Sequence, residues 1–374
     1  MWYTNAWVFT EGGSFEYGSF CVDHGRFVEI TNDRHEGGVD LGGAYVIPGL
    51  VDIHIHGAMG KDFSDGDVDG LRIMARYLAR SGITSFAPTS MTLPYEVLEN
   101  AFSAGRCFRI ERFRDCARLV GIHMEGPFLS ESKKGAQNKD YLKEPDSAAV
   151  LTFLDHSDGL IRIVDVAPEL PGAGKFIETM SQKCTVSLAH TEATYEEASN
   201  AFCAGAKHVT HLFNGMCPLH HREPGIIGAA AERERITAEL ICDGVHVHPS
   251  AIRMAFRMFP ERICLISDSL RCCGMDDGDY MLGGQLFHMR NGCARLSDGT
   301  LAGASTNLFE CMRRAISFGI PKEAAIRAAT LIPAKVIGCD AEVGSIALGK
   351  SADFVVCTEG LQKKAVFIDG WQIS

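Results

Sequence analysis

From Gly49 onward the chain alternates short apolar runs with longer amphipathic stretches, and the alternation comes eight times. The runs are Val51 to His56, Ile83 to Pro88, Leu119 to Glu125, Arg162 to Ala167, Cys184 to His190, Lys207 to His211, Thr237 to Cys242 and Ile263 to Asp268. Between them lie stretches with helical spacing, among them Gly66 to Arg80, Tyr95 to Arg112, Tyr195 to Ala204 and Pro249 to Met258. Thr194, with Glu197 three residues on, reads as a capping box at the start of one of these helices. Eight apolar strands separated by helices predict a (β/α)8 barrel of the TIM type, and such a barrel gathers its working residues at the C-terminal ends of its strands.

The two ends of the chain have a different texture. Trp2 to Phe9, Phe15 to Val22, Arg26 to Ile30 and Ala44 to Ile47 are rich in aromatic and β-branched residues and are split by Gly-Gly and Asn-Asp, as short strands are. Strand character returns at Asp353 to Cys357 and Ala365 to Ile368, after a Gly-rich excursion from Asp276 to Gly303 and helical stretches at Asn307 to Phe318 and Lys322 to Ala329. The simplest arrangement makes residues 1–47 and 341–374 one small β-sandwich domain and residues 48–340 the barrel.

With 46% hydrophobic and 22% charged residues the chain has ample core for such a fold. Its 36 Lys and Arg against 47 Asp and Glu give a net charge of −11, and without a basic block nucleic acid is not an expected partner. No run of 18 apolar residues occurs, so no membrane partner is expected either. Met1 to Gly13 lacks a basic segment followed by an apolar one, and the fourteen cysteines contain no Cys-x-x-Cys. These features fit buried thiols in a reducing compartment, and a cytoplasmic location is expected.

Six of the eight runs end in, or just before, a residue able to bind metal or move a proton. In VDIHIHG, His54 and His56 are two apart, so both project from one face of a strand, toward the barrel interior. His123 and Glu125 share a face in the same way in GIHMEGPF. SLAHT ends in His190, VTHLFN in His211 and LISDS in Asp268, while DGVHVHP offers His246 and His248 after the seventh run. A single strand-end histidine is more often a satisfied polar residue than a ligand. The joint placement is what counts: imidazoles and carboxylates closing different strands of one barrel suit a divalent ion such as Zn²⁺ or Fe²⁺.

PGLVDIHIHG, GIHMEGPFLSESKKGAQN, LAHTEATYEEA, THLFNGMCPLHHREPG and DGVHVHP, in this order over residues 46 to 370, resemble the N-acetylglucosamine-6-phosphate deacetylase family of the amidohydrolase superfamily. The resemblance implies a metal-bearing barrel beside a small β domain. It makes Glu125, His190 and His211 the ligands of a principal metal, with His54 and His56 holding a second, so one or two ions per subunit are expected. It implies that Asp268 is the catalytic acid and base, and that His246 meets the oxyanion or a sugar hydroxyl. It assigns the substrate phosphate to Arg222, Asn214 and the Gly215 amide, on a loop that reaches the neighbouring subunit of a homodimer. The expected partner is a phosphorylated N-acetyl amino sugar.

Three departures from the family pattern stand out. Gln137 takes the place of a frequent His in Gly-Ala-His and is expected to hydrogen-bond a sugar hydroxyl or phosphate oxygen. Asp268 lies in SDSLRCCG, followed by Arg271, Cys272 and Cys273, and the later Leu-Ala-Gly-Ser is LAGAST. All three are expected to touch the substrate wall rather than the metal. The expected reaction is hydrolysis of the acetamide of N-acetylglucosamine 6-phosphate. The alternatives are the galactosamine epimer, another acylated amine, or a silent scaffold.

Overall fold

The structure, a computed structural model, describes residues 1–374 apart from Arg34 and Arg112. Eight parallel strands follow one another around a barrel: Leu50–Ile55, Ile83–Ser90, Ile122–Met124, Ile161–Val166, Thr185–Leu188, His208–Val209, Thr237–Ile241 and Ile263–Ile266. The ring closes between the last and the first. Asp268 N–H donates to His54 O, and the amides of His56 and Gly57 both donate to Ser269 O, each at 2.9 Å. The third apolar run is interrupted: Arg118–Leu119 pairs with the second strand, and the barrel strand resumes at Ile122.

The helices cover the barrel because their apolar residues recur at helical spacing. In Val68–Arg80, capped by Asp67 accepting from the Asp69 amide, the buried positions include Leu71, Met74, Ala75, Leu78 and Ala79. Burying a side chain of the size of Met74 or Leu78 contributes about 1.5–3 kcal/mol. The capping box of Thr194 and Glu197 forms as expected, and the helix runs Tyr195–Ala204. The second helix is Tyr95–Glu111, and its expected last residue, Arg112, lies outside the described residues.

Both chain ends join one seven-stranded sheet, in the order Trp371–Ile373, Lys363–Ile368, Phe354–Cys357, Val39–Pro48, Trp2–Phe9, Phe15–Asp23, Arg26–Thr31. Phe354 and Phe27 are four strands apart, about 19 Å in a flat sheet. Their ring centroids lie 6.0 Å apart, so the sheet curls over on itself as a sandwich. Tyr3, Phe20, Phe27, Phe354 and Phe367 fill its separate core. The excursion after the eighth strand is a three-stranded antiparallel sheet, Gly278–Leu282, Gln285–Arg290 and Cys293–Leu296. Gln285 Nε2 donates to Ala136 O at 2.8 Å and docks this sheet against the loop after the third strand.

Candidate active site

The barrel interior is polar where a TIM barrel ordinarily stacks branched aliphatics. His54, His123, Asp165, Ser187, His208 and Glu239 are all fully buried there. At the C-terminal rim the strand ends bring six residues into one cluster. Glu125 Oε1 lies 3.1 Å from His190 Nε2 and 3.0 Å from His211 Nε2, and these two nitrogens are 3.1 Å apart. Beside them His54 Nε2 and His56 Nε2 are 3.3 Å apart, and Asp268 Oδ1 is 3.6 Å and 3.3 Å from them respectively. Glu125 spans both groups, because its Oε2 lies 3.4 Å from His56 Nε2.

The donor set fits metal ions. Ligand atoms around a tetrahedral Zn²⁺ with bonds of about 2.05 Å are roughly 3.3 Å apart, close to what each triad presents. Every imidazole also has its other nitrogen engaged, which fixes the proton there and leaves the Nε2 lone pair for a ligand. His190 Nδ1–H donates to Lys133 O at 2.7 Å, His211 Nδ1–H to Asn214 O at 3.1 Å, and His56 Nδ1–H to Thr89 O at 3.2 Å. His54 Nδ1 instead faces the buried carboxylate of Glu239, at 2.9 Å.

The electrostatics draw positive charge to the same point. Burial pushes the Glu125 carboxyl up, but hydrogen bonds from His190 and His211 and the charge of His54 hold it well below the usual range. Asp268 is likewise raised by burial and lowered by His56 and His54, with a net downward shift. Burial works against protonation of His56 and His211, yet the carboxylates around them push both up to about 9. A cluster that otherwise collects protons favours a divalent cation in their place.

His190, His211 and Asp268 all take a positive φ, 43°, 30° and 48°. Such φ values are uncommon for residues with a Cβ, and here each turns the chain sharply at a strand end so that the side chain faces the cluster. Two glycines make room. A Cβ on Gly215, itself at φ 61°, would lie 2.8 Å from His190 Nδ1. One on Gly303 would lie 2.5 Å from Asp268 O and 3.0 Å from Asp268 Oδ1, so the glycine of LAGAST is needed for the close approach that brackets the aspartate.

The remaining expected residues have defined positions. Asn214 supplies the carbonyl that orients His211, and its Nδ2 faces the carbonyls of His211 and Leu212 at 3.4 Å. Arg222 is exposed, with its guanidinium 2.7 Å from His221 Nε2. His246 is held between Asp243 Oδ2 and Ala302 O, both at 2.7 Å, so it reaches a substrate oxygen only by releasing Ala302. His248 caps the helix Pro249–Met258 by accepting from the Ser250 amide. His123 lies one layer below the cluster, between Ile53 O at 3.1 Å and Asp165 Oδ1 at 2.9 Å.

The expectation that the departures touch only the substrate wall does not hold for Gln137 or Arg271. Gln137 is buried, donates from Nε2 to Glu125 Oε2 at 2.5 Å and accepts from the Thr92 amide at 2.7 Å. Both ends of the amide are thereby committed, one to the Glu125 carboxylate and the other to the loop after the second strand. Arg271 pairs with Asp65 at 2.9 Å and the buried Asp62 at 3.6 Å, locking the loop after the eighth strand onto the loop after the first. Cys272 and Cys273 are buried, and burial pushes their thiols up to about 12 and about 11, so neither is a thiolate near neutral pH.

Sequence reasoning missed Glu239 and Asp165. Each is an acidic residue inside a largely apolar run, TAELI and IRIVDV, and that oddity was the available signal.

Comparison with known proteins agrees with this geometry. The amidohydrolase family profile matches residues 45–372. The N-acetylglucosamine-6-phosphate deacetylase of Vibrio furnissii is 34% identical over 339 residues, covering 90% of this chain and 85% of that protein. The N-acetylgalactosamine-6-phosphate deacetylase of Escherichia coli O157:H7 is 36% identical over 327 residues, covering 86% of each. Among solved structures, an aspartate-to-alanine mutant of the N-acetyl-D-glucosamine-6-phosphate deacetylase of Mycobacterium smegmatis, in complex with N-acetyl-D-glucosamine-6-phosphate, superposes with a TM-score of 0.93 at 33% identity. That match covers 100% of this chain and 99% of the other.

Proposed function

The chain belongs to the amidohydrolase family, and from that premise we propose that it hydrolyses the acetamide of N-acetylglucosamine 6-phosphate to glucosamine 6-phosphate and acetate. The observation that carries this reading is the Glu125 carboxylate, one oxygen against His190 and His211 and the other facing His56, with Asp268 beside them. The similarity to deacetylases of amino-sugar phosphates over most of the chain supports the substrate class.

An unactivated amide is a poor electrophile with a poor leaving group. A divalent ion, Zn²⁺ or Fe²⁺ in our reading, would be held by Glu125, His190 and His211, and a second by His54, His56 and Asp268, with Glu125 shared; bound there, it supplies a Lewis acid and a water of lowered pKa. Asp268, kept ionised by His56 and His54, accepts the proton of the attacking water and returns it to the nitrogen as the C–N bond breaks. His246, on releasing Ala302, donates to the developing oxyanion or a sugar hydroxyl. Arg222, with Asn214 and the Gly215 amide, binds the phosphate, and that remote binding orients the acetamide. The loop carrying Arg222 reaches the partner of a homodimer in this reading.

The 36% identity to an N-acetylgalactosamine-6-phosphate deacetylase favours a second reading, the galactosamine epimer. Acetate release measured side by side on the two phosphorylated sugars decides between them. Release from the glucosamine substrate at least tenfold faster in kcat/KM is the result expected; the reverse order overturns the assignment of epimer, and release from neither overturns the deacetylase. Intact candidate ligand residues at the ends of five of the eight barrel strands speak against a silent scaffold.

Among the described residues no helix is long and apolar enough to cross a membrane. None of their fourteen cysteines is in a disulfide, which supports our assignment of the protein to the cytoplasm. We divide the chain into residues 1–47 and 341–374 as the small domain and 48–340 as the barrel.

A further inference from the structure

We propose that Glu239, on the seventh barrel strand, is a positioning residue that sets the tautomer of His54 and so governs the second metal subsite. The inference rests on the two-ion reading above. Glu239 is fully buried. Its Oε2 does two things at once: it lies 2.9 Å from His54 Nδ1 and accepts from the His211 backbone amide at 3.2 Å. Its Oε1 lies 3.2 Å from His208 Nε2. One carboxylate oxygen therefore joins the ring of a residue in one triad to the backbone of a residue in the other.

The two triads depend on it unequally. His211 has its ring fixed independently, by Asn214 O. His56 and His190 likewise have backbone carbonyls at Nδ1. Only His54, among these four, relies on a side chain to hold the proton on Nδ1. Without an acceptor there, the proton is free to move to Nε2, which faces Glu125 Oε1 at 3.7 Å and Asp268 Oδ1 at 3.6 Å. Those carboxylates stabilise the proton at the position where a lone pair is required. A carboxylate at this distance from His54 thus selects the ligating tautomer.

The ligating tautomer requires an acceptor atom with the right reach beside His54 Nδ1, and two conservative variants separate reach from charge. Glu239→Gln keeps an oxygen where Oε2 is, able to accept from both His54 and His211. Glu239→Asp keeps the charge but is one methylene shorter and falls short of His54. The full-length protein and both variants are dialysed against a graded series of free Zn²⁺, and bound zinc is counted by mass spectrometry. Circular dichroism and thermal melting report the fold.

The wild type should take up two ions. Glu239→Gln should bind the second within a few-fold of wild type, and Glu239→Asp should bind it 10- to 100-fold more weakly while keeping the first. A wild type that takes up one ion overturns the proposal. So does a Glu239→Asp variant with full second-ion affinity, or a Glu239→Gln variant that loses the second ion while Glu239→Asp retains it. Because ions are counted without turnover, a wild type that binds two ions and releases no acetate would refute the deacetylase reading and leave this assignment standing.

Discussion

Gln137 Nε2 lies 2.5 Å from Glu125 Oε2, and the same amide accepts from Thr92 N–H through its oxygen. The side chain therefore holds the shared carboxylate at a fixed angle and ties it to the loop after the second strand. Gln137→Ala should weaken metal binding by roughly 10- to 100-fold. Its preference for the phosphorylated over the plain sugar should stay as in wild type. Zinc binding at buffered free metal and kcat/KM on the two sugars check this. Lost phosphate preference with full metal affinity would return Gln137 to the substrate wall.

The barrel and the principal cluster were legible because a strand has period two. That rule places His54 with His56, and His123 with Glu125, on interior faces, and barrel geometry then sends strand ends to a common rim. The rule does not give depth. His123 and Glu125 share a face, yet only Glu125 reaches the rim, while His123 is enclosed by Asp165 and Ile53. Partners contributed by distant loops are equally invisible, because Gln137 meets Glu125 and Arg271 meets Asp62 only once the loops are packed. Glu239 shows in the sequence only as an oddity whose direction is ambiguous. A lone glutamate in an apolar run looks like the solvent side of an alternating strand, and only barrel closure turns that side inward.

Glu125 touches both triads, so its loss should affect both. In Glu125→Gln a neutral amide replaces the carboxylate and is a weaker ligand for a divalent ion, so bound metal and acetate release should fall together. Replacing His54 and His56 by Ala should remove only the second ion and leave the first on Glu125, His190 and His211. Metal analysis of the purified variants measures both effects. Full occupancy with full activity in Glu125→Gln would remove it from the ligand set.

Asp268→Asn keeps the shape of the side chain but cannot accept a proton. The turnover number should drop by about 10² or more, with binding of the phosphorylated sugar largely kept. Rapid-quench acetate release and equilibrium binding of the substrate separate the two quantities. Turnover within a few-fold of wild type would assign the proton transfer to another group, and His246, already linked to Asp243, is the nearest candidate.

Asp353 gives a pH signature unrelated to catalysis. Burial pushes its carboxyl up from 3.8 to about 6, although Arg118 and the Asp369 amide pull the other way. Between about pH 4 and pH 6 the folded chain therefore holds a proton that the unfolded chain has released, and stability at this site falls as pH rises through that window. A simple ion pair with Arg118, 3.4 Å away, would give the opposite slope. Asp353→Asn does not titrate, so its melting temperature minus that of wild type should become more positive from pH 4 to pH 7. A difference that is constant, or that falls, would show that Arg118 dominates.

Arg222 sits on an exposed loop, with its guanidinium against His221 rather than in the core. Arg222→Ala should therefore fold normally. It should lower kcat/KM for the phosphorylated sugar by roughly 30- to 100-fold, the scale of a charge-assisted pair, and leave the plain sugar almost unchanged. If the loop completes the partner's site, the two functions are separable between chains. Mixing Arg222→Ala with Asp268→Asn subunits would then restore one competent site per heterodimer, with its aspartate and arginine from different chains. Subunit exchange is verified first, by mass spectrometry of isotopically distinct chains. Restored activity in the exchanged mixture, absent from either variant alone, is the expected result. Exchange without restored activity would mean that each chain supplies its own arginine, and equal losses on both sugars would mean that Arg222 shapes the loop instead of binding phosphate.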